Sequence, residues 1–251
     1  MPPKILIEIC AGSIESAIAA AKGGADRIEL CCALAEGGLT PSHAMIEYVT
    51  ANLTIRTFVL IRPRAGDFSY SRAEFEVMKS DIFSAKARGA GGIVTGMLNT
   101  DGSIDTCRMK EIVEMANPMQ VTFNRAFDLA KDPYEALEVI IALGCNRILT
   151  SGMARTAFEG AELISGLVKQ AGTRIVIMPG SGVNASNLRE LHSATGAREF
   201  HLSATSATKS KMAFRKQGVN MGNESSDEYN FLQTDKELVS EICSLASGLT
   251  I

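Results

Sequence analysis

The sequence predicts a single-domain (β/α)8 barrel over residues 1–251. Three observations carry that prediction. Short apolar runs of strand character alternate eight times with amphipathic helical runs. The strand ends fall near residues 10, 31, 61, 95, 123, 149, 178 and 202, about 27 residues apart, which is the length of one βα unit. No Gly-x-Gly-x-x-Gly fingerprint follows the first strand, which disfavours an open doubly wound sheet. No linker divides the chain, so one domain is expected.

The first strand runs from Ile5 to Cys10. Ser13 is placed to cap a helix reaching Lys22, with Ala17, Ile18 and Ala21 on one face, and Gly23-Gly24 stops it. The second strand is Asp26 to Cys31. It leads into the turn-rich loop Ala35-Glu36-Gly37-Gly38-Leu39-Thr40-Pro41-Ser42, and Pro41 suits the first turn of a helix reaching Ala51. The third strand, Ile55 to Ile61, ends in the arginine-rich turn Arg62-Pro63-Arg64-Ala65-Gly66-Asp67. From Ser71 to Arg88 the stripe Phe75, Met78, Ile82 and Ala85 marks a helix. The fourth strand and helix are Gly91 to Thr95 and Ile104 to Ala116. Met119 to Phe123 is the fifth strand, followed by Asn124-Arg125-Ala126-Phe127-Asp128 and a helix with Asp132 as cap, Pro133 at its first position and Gly144 as stop. Arg147 to Leu149, Arg174 to Met178 and Glu199 to Leu202 are the last three strands. Glu159 to Ala171 and a short run from an Asn184 cap to Ser193 are the helices between them. Thr205 to Asp235 reads as polar and irregular, and Asp235 to Ala246 as the final helix.

Composition is that of a globular chain, 46% hydrophobic and 21% charged. A net charge of -3 offers no general attraction to nucleic acid or to an anionic membrane. Glu8 interrupts the first apolar run, so no signal peptide is read, and no apolar run reaches spanning length. The chain is therefore expected in the cytoplasm, with reduced thiols, no nucleic-acid or membrane partner and no nucleotide cofactor. Its six cysteines show no Cys-x-x-Cys pattern, so any metal site must be assembled from separate strands.

In a barrel, sites form at the carboxyl ends of the strands. Two strands there repeat one pattern, Glu8-Ile9-Cys10 and Glu29-Leu30-Cys31. Side chains alternate faces, so each glutamate shares a face with its cysteine. Set side by side in register, the strands bring two carboxylates and two thiols together. Glu8 and Glu29 then serve as an acid and a base, since paired carboxylates push one pKa upward. The alternative pairs each with an arginine, Arg62 or Arg125. His201 is a base or a hydrogen-bond donor. Lys4 precedes the first strand and no other strand carries a lysine, which disfavours a Schiff-base aldolase. Arg62, Arg64, Asn124, Arg125, Asp128, Ser151 and Ser203 line the same rim and suit a small anion. Gly180, Ser181 and Gly182 put bare amides ahead of a helix, a phosphate cradle or a plain turn. Cys10 and Cys31 are either Cu(I) ligands or small buried apolar residues, and spacing alone favours the second.

Taken in order, these motifs resemble the CutC family of copper homeostasis proteins, from Glu8 to about Gly222. The resemblance rests on Glu8-Ile-Cys10, Gly23-Gly-Ala-Asp-Arg-Ile-Glu-Leu-Cys31, Glu36-Gly-Gly-Leu-Thr-Pro-Ser42 and Ile61-Arg-Pro-Arg-Ala-Gly-Asp-Phe68. It continues through Thr122-Phe-Asn-Arg-Ala-Phe-Asp128, Leu149-Thr-Ser-Gly152, Met178-Pro-Gly-Ser-Gly182 and Glu199-Phe-His201. It implies a cytosolic (β/α)8 barrel, a homo-oligomer (dimer or tetramer), and copper handling with Cys10 and Cys31 matching the family's Cu(I) cysteines. Two positions depart from the family pattern: Asn124 stands where His is usual, and Ser181 where Gly is usual. Asn124 orients a substrate but cannot shuttle protons at neutral pH.

Two functions are therefore expected from the sequence. The adopted one is a cytosolic copper homeostasis protein that binds Cu(I) through Cys10 and Cys31. The alternative is an isomerase, lyase or hydrolase acting on a small phosphorylated or carboxylated metabolite. There Glu8 or Glu29 is the base, Arg62, Arg64 and Arg125 clamp the anion, and the Gly180–Gly182 turn cradles phosphate. The loop bearing Lys209, Lys211, Arg215 and Lys216 would close over the mouth.

Overall fold

A computed structural model describes residues 5–219, 221 and 227–249. Lys4 and Gly222 lie outside the described residues. Among the described residues, eight barrel strands alternate with eight α-helices. The strands are β1 (Leu6–Ala11), β2 (Arg27–Leu30), β3 (Arg56–Leu60), β4 (Gly92–Thr95), β5 (Gln120–Phe123), β6 (Arg147–Thr150), β7 (Val176–Pro179) and β8 (Glu199–Leu202). The helices are α1 (Ile14–Gly23), α2 (His43–Asn52), α3 (Arg72–Ala87), α4 (Thr106–Ala116), α5 (Pro133–Ala142), α6 (Ala161–Ala171), α7 (Leu188–Thr195) and α8 (Lys236–Ser247). These eight strands are parallel and pair in chain order from β1 to β7, with β8 paired to β1. β7 packs beside β8 and nearly closes the barrel. Among the described residues no helix is long and apolar enough to cross a membrane.

Local chemistry sets the helix starts. Ser13, Ser42, Asp105, Asp132 and Asp235 each accept a hydrogen bond from an amide of the first turn, satisfying donors that the helix leaves open. Ser71 and Glu74 form a reciprocal capping box on α3.

Most element ends lie within one or two residues of the sequence reading, and three features depart from it in kind. Ser42 caps α2, and Pro41 lies just outside it. α7 begins at Leu188 and not near Asn184. The Asn184 side chain instead accepts from the Ser186 amide at 2.9 Å, while Asn184 and Asn187 both donate to the Gly182 carbonyl, so a turn consumes these residues first. Between Thr205 and Asp235 the chain is not irregular throughout. It forms an antiparallel ribbon, β9 (Thr205–Lys209) and β10 (Asn230–Thr234), tied to α1 by the Thr234 amide donating to Ser16 Oγ at 3.2 Å. Phe231 and Leu232 are adjacent and both exposed, so the ribbon lacks the one-sided alternation that marks a half-buried strand.

Strand alternation creates two apolar cores. Ile7, Ile9 and Ala11 of β1 face the helices, as do Ile28 and Leu30 of β2. The opposite parity faces the lumen, where Phe58, Leu60 and Val94 form a small separate cluster with Cys10 and Cys31. Phe58 fills the lumen because its partner on β4 is Gly92. A Cβ on Gly92 would lie 2.6 Å from the Phe58 ring and 2.8 Å from the Gln120 carbonyl oxygen. The guanidinium groups of Arg27, Arg56 and Arg147 stand 4.9, 5.3 and 5.1 Å from the ring centroid, so the ring has little room to swing. Gly92→Ala is expected to cost about 1–3 kcal/mol by overpacking. A urea midpoint equal to that of the parent chain would show that the lumen yields.

Candidate functional site

Barrel stagger decides which lumen residues meet. The two Glu-x-Cys motifs are not aligned with each other: Glu8 pairs with Arg27, and Cys10 with Glu29, a slip of two residues. Glu8 therefore faces a cation instead of the second carboxylate. On its other side Glu8 is level with His201 of β8.

Both oxygens of Glu8 are engaged. Arg27 Nε donates to Oε2 in a short contact, and His201 Nδ1 lies 2.7 Å from Oε1. Arg27 also donates to Glu199 Oε2 at 2.7 Å, and Arg147 Nε reaches the same oxygen at 3.0 Å. Arg147 is completed by Gln120 at 3.1 Å and Thr122 at 3.4 Å. These charges are buried at the base of the lumen, packed around Phe58. Burial alone would raise the Glu8 pKa, but Arg27 and His201 outweigh it and hold the carboxyl at about 2.

Glu29 has the opposite fate. It is buried, it faces no arginine directly in the ladder, and its Oε2 has no hydrogen-bond partner. Burial pushes its pKa up to about 7; His201 partly offsets this and the Glu8 charge adds to it. For His201 burial acts downward, but Glu29, Cys10 and Glu8 together hold the imidazolium well above its ordinary range. The slip thus separates two glutamates of similar sequence context into one fixed anion and one carboxyl that titrates near neutrality.

The thiols stand above this pair. Cys10 Sγ and Cys31 Sγ are 3.5 Å apart, and Cys10 Sγ is 3.8 Å from Glu29 Oε1. The bond to Cys31, then burial, then negative charge at Cys31 and Glu29 push the Cys10 thiol well up. Cys31 is fully covered, and Gly38 sits against it: a Cβ there would lie 3.8 Å from Cys31 Sγ. Glu29 belongs to two donor groups, one with Cys10 and Cys31 and one with Glu8 and His201, each with ligand atoms within 4.8 Å of one another.

The CutC family model matches residues 5–206. The chain belongs to the CutC family. It is 47% identical over 247 residues to the human copper homeostasis protein cutC homolog, covering 98% of this chain and 90% of that one. It is 47% identical over 234 residues to a CutC family protein of Chromobacterium violaceum, covering 93% and 95%. A solved CutC structure from Streptococcus agalactiae superposes with a TM-score of 0.76 at 32% identity, covering 79% of this chain and 98% of that chain. Phosphoribosylanthranilate isomerase of Pyrococcus furiosus shares the fold alone, with a TM-score of 0.57 at 15% identity over 98% and 100% of the two chains.

The structure brings Glu8, Cys10, Glu29, Cys31 and His201 together. The rim residues are engaged by their own and neighbouring loops. Arg62 donates to the carbonyls of Glu36, Gly38 and Gly66 at 2.7–2.9 Å, and so straps down the turn that covers Cys31. Arg64 is held by Asp67 and Glu74. Arg125 bonds Asp128 and Ser151, each at 2.7 Å. Asp128 in turn accepts from the Ser151 amide and hydroxyl, the Met153 amide and Thr150 Oγ1, pinning the loop after β6. Asn124 is buried and accepts from the Ala126 amide at 3.0 Å, a turn bond that asparagine suits well. The Gly180 amide is spent on the Thr150 carbonyl. Ser181 adopts φ +77°, a left-handed conformation that favours glycine, and its hydroxyl donates to the Arg155 carbonyl at 2.9 Å. Gly182 has φ +74°. The Ser203 carbonyl accepts from Thr234 Oγ1 at 3.2 Å at the base of the β9–β10 ribbon.

Sequence reasoning missed Arg27, Arg147 and Glu199. The signal was parity: Arg27-x-Glu29 and Glu199-x-His201 place these charges on the lumen face of strands whose other face is apolar.

Proposed function

We propose that the chain binds Cu(I) as cargo through Cys10 and Cys31 at the barrel mouth, as a cytoplasmic, homo-oligomeric copper homeostasis protein. The observation that carries this reading is the 3.5 Å approach of two thiols from adjacent strands over an apolar floor of Phe58, Leu60 and Val94. Sulfur is the donor Cu(I) prefers, and an apolar surround excludes competing water. The relatives' names, copper homeostasis protein among them, support the same reading.

Cys10→Ser with Cys31→Ser is expected to abolish stoichiometric Cu(I) binding in an anaerobic titration against a competing chelator. Retained binding of one copper per chain in that variant would refute the site. Because burial and the Cys31 contact keep the Cys10 thiol protonated, copper must displace a proton. Apparent affinity is then expected to rise roughly tenfold per pH unit for each proton displaced.

One observation favours a second reading, an enzyme acting on a small phosphorylated or carboxylated metabolite. Glu29 is a buried carboxyl raised to about 7 with one bare oxygen, beside a protonated His201, which is a matched base and acid. Arg62, Arg64 and Arg125 already spend most of their donors on carbonyls, Asp67, Glu74, Asp128 and Ser151, which weighs against the anion clamp in its first form. A turnover screen against phosphorylated metabolites tests it, and wild-type turnover by Glu29→Gln would remove Glu29 from that chemistry.

A further inference from the structure

Cys31 is fully buried and Cys10 nearly so, yet a thiol pair that exchanges cargo must meet something from outside. The cover over the pair is a short turn, residues 33–38, between β2 and α2. Its base is fixed, because Cys32 and Leu39 exchange backbone hydrogen bonds at 3.0 and 2.8 Å. Reversing the chain so tightly puts Ala33, Gly37 and Gly38 in left-handed conformations, with φ of +49°, +80° and +87°. Gly38 is the part that lies on the site. A Cβ there would stand 2.8 Å from Leu60 Cδ2 and 3.7 Å from Cys31 Cβ.

The body of the turn is not built into the core: residues 33–37 are exposed. Leu34 seats it on the loop after β1, where a Cβ on Gly12 would lie 2.6 Å from Leu34 Cδ1. Arg62, itself buried, seats it from the other side. Its Nη1 donates to the carbonyls of Glu36 and Gly38 at 2.7 and 2.9 Å, and its Nη2 to Gly66 at 2.9 Å. One guanidinium thus ties the turn after β2 to the loop after β3, through a planar fork that lysine cannot reproduce. A segment with few buried contacts opens at far lower free energy than the whole fold. We infer that Arg62 is a positioning residue of the thiol site: it holds residues 33–38 as a cover, and opening of that cover controls exchange at Cys10 and Cys31. That copper is what exchanges rests on the reading of these cysteines as ligands; the cover itself does not.

The test labels the full, metal-free chain with iodoacetamide under anaerobic conditions and reads each cysteine by mass spectrometry. Two other cysteines serve as references. Cys107 is exposed on α4, and Cys145 is buried just before β6, at the opposite end of the barrel. Arg62→Met is expected to speed labelling of Cys10 and Cys31 by about tenfold or more, with Cys107 and Cys145 at parent rates. Arg62→Lys keeps the charge but reaches fewer carbonyls and should fall between. Leu34→Ala alters an exposed side chain and should speed the same two cysteines to a smaller extent. Cu(I) uptake and release, followed by stopped flow with a chromogenic chelator, should both accelerate in Arg62→Met by a similar factor, since a cover common to both states changes rates.

Parent labelling rates at Cys10 and Cys31 in Arg62→Met overturn the inference, whether or not the chain binds Cu(I). Equal acceleration at Cys145 also overturns it, because Arg62 would then act on the stability of the whole fold. If Arg62→Met does not fold, Leu34→Ala is read in its place by the same two outcomes. Faster labelling confined to Cys10 and Cys31, in a chain that ignores Cu(I), upholds the cover and refutes copper as the cargo.

Discussion

Glu29→Gln is expected to make the metal-free protein more stable, and only above pH 5. Unfolded, Glu29 titrates near 4.5; folded, burial raises it to about 7. Between those values the native state holds the extra proton, so stability from this group is present below 4.5 and lost as pH rises through 7. Above pH 7 the folded protein carries a buried, half-partnered carboxylate at a cost of roughly 3 kcal/mol. Glutamine keeps the shape and removes the charge. Urea unfolding at pH 8 should therefore show a gain of about 2–3 kcal/mol over the parent chain, shrinking toward zero at pH 4.5. An equal gain at both pH values, or none at pH 8, would mean that Glu29 is not charged against its surroundings. Such an instability in a lumen otherwise closely paired fits a group kept for binding or chemistry.

Glu199→Gln is expected to have the largest destabilising effect. Glu199 Oε2 accepts from both Arg27 and Arg147, and the two guanidinium groups are buried against one phenylalanine ring. Burial and the Arg27 charge already press the Arg147 pKa downward. Without the carboxylate, Arg147 keeps only neutral partners, Gln120 and Thr122, beside a like charge. Breaking a buried pair on one side costs about 3–5 kcal/mol, which for a chain of this size lowers Tm by roughly 10 °C. Adding Arg147→Met to Glu199→Gln removes the stranded cation and should recover part of the loss. If the single variant loses less than about 1 kcal/mol in urea, water or relaxation already satisfies Arg147 and the network is not the anchor of the lumen.

The barrel itself is legible in the chain because its determinants are local. Eight apolar strands, their caps and their glycine stops each act within a few residues, and their common spacing leaves few topologies that bury them all. Ser13, Ser71, Asp132 and Asp235 mark helix starts by the same short-range chemistry. The face shared by Glu8 with Cys10, and by Glu29 with Cys31, follows from strand alternation alone.

What the chain did not disclose is long-range. Glu8 and Arg27 are 19 residues apart, and Arg27 and Glu199 are separated by 172. Only the stagger of a closing barrel sets which of these meet, and no local pattern encodes it. A slip of two residues exchanged Glu29 for Arg27 as the neighbour of Glu8, and with it settled which glutamate is a fixed anion and which titrates near neutrality. The arginines of the loops after β3 and β5 look free in the sequence, because their partners are backbone carbonyls and nearby acids whose positions depend on loop shape. Sequence therefore determined the scaffold and the residues at its mouth, whereas tertiary structure decided their charge states and partners, since propensity is read within a turn and electrostatics only across the closed barrel.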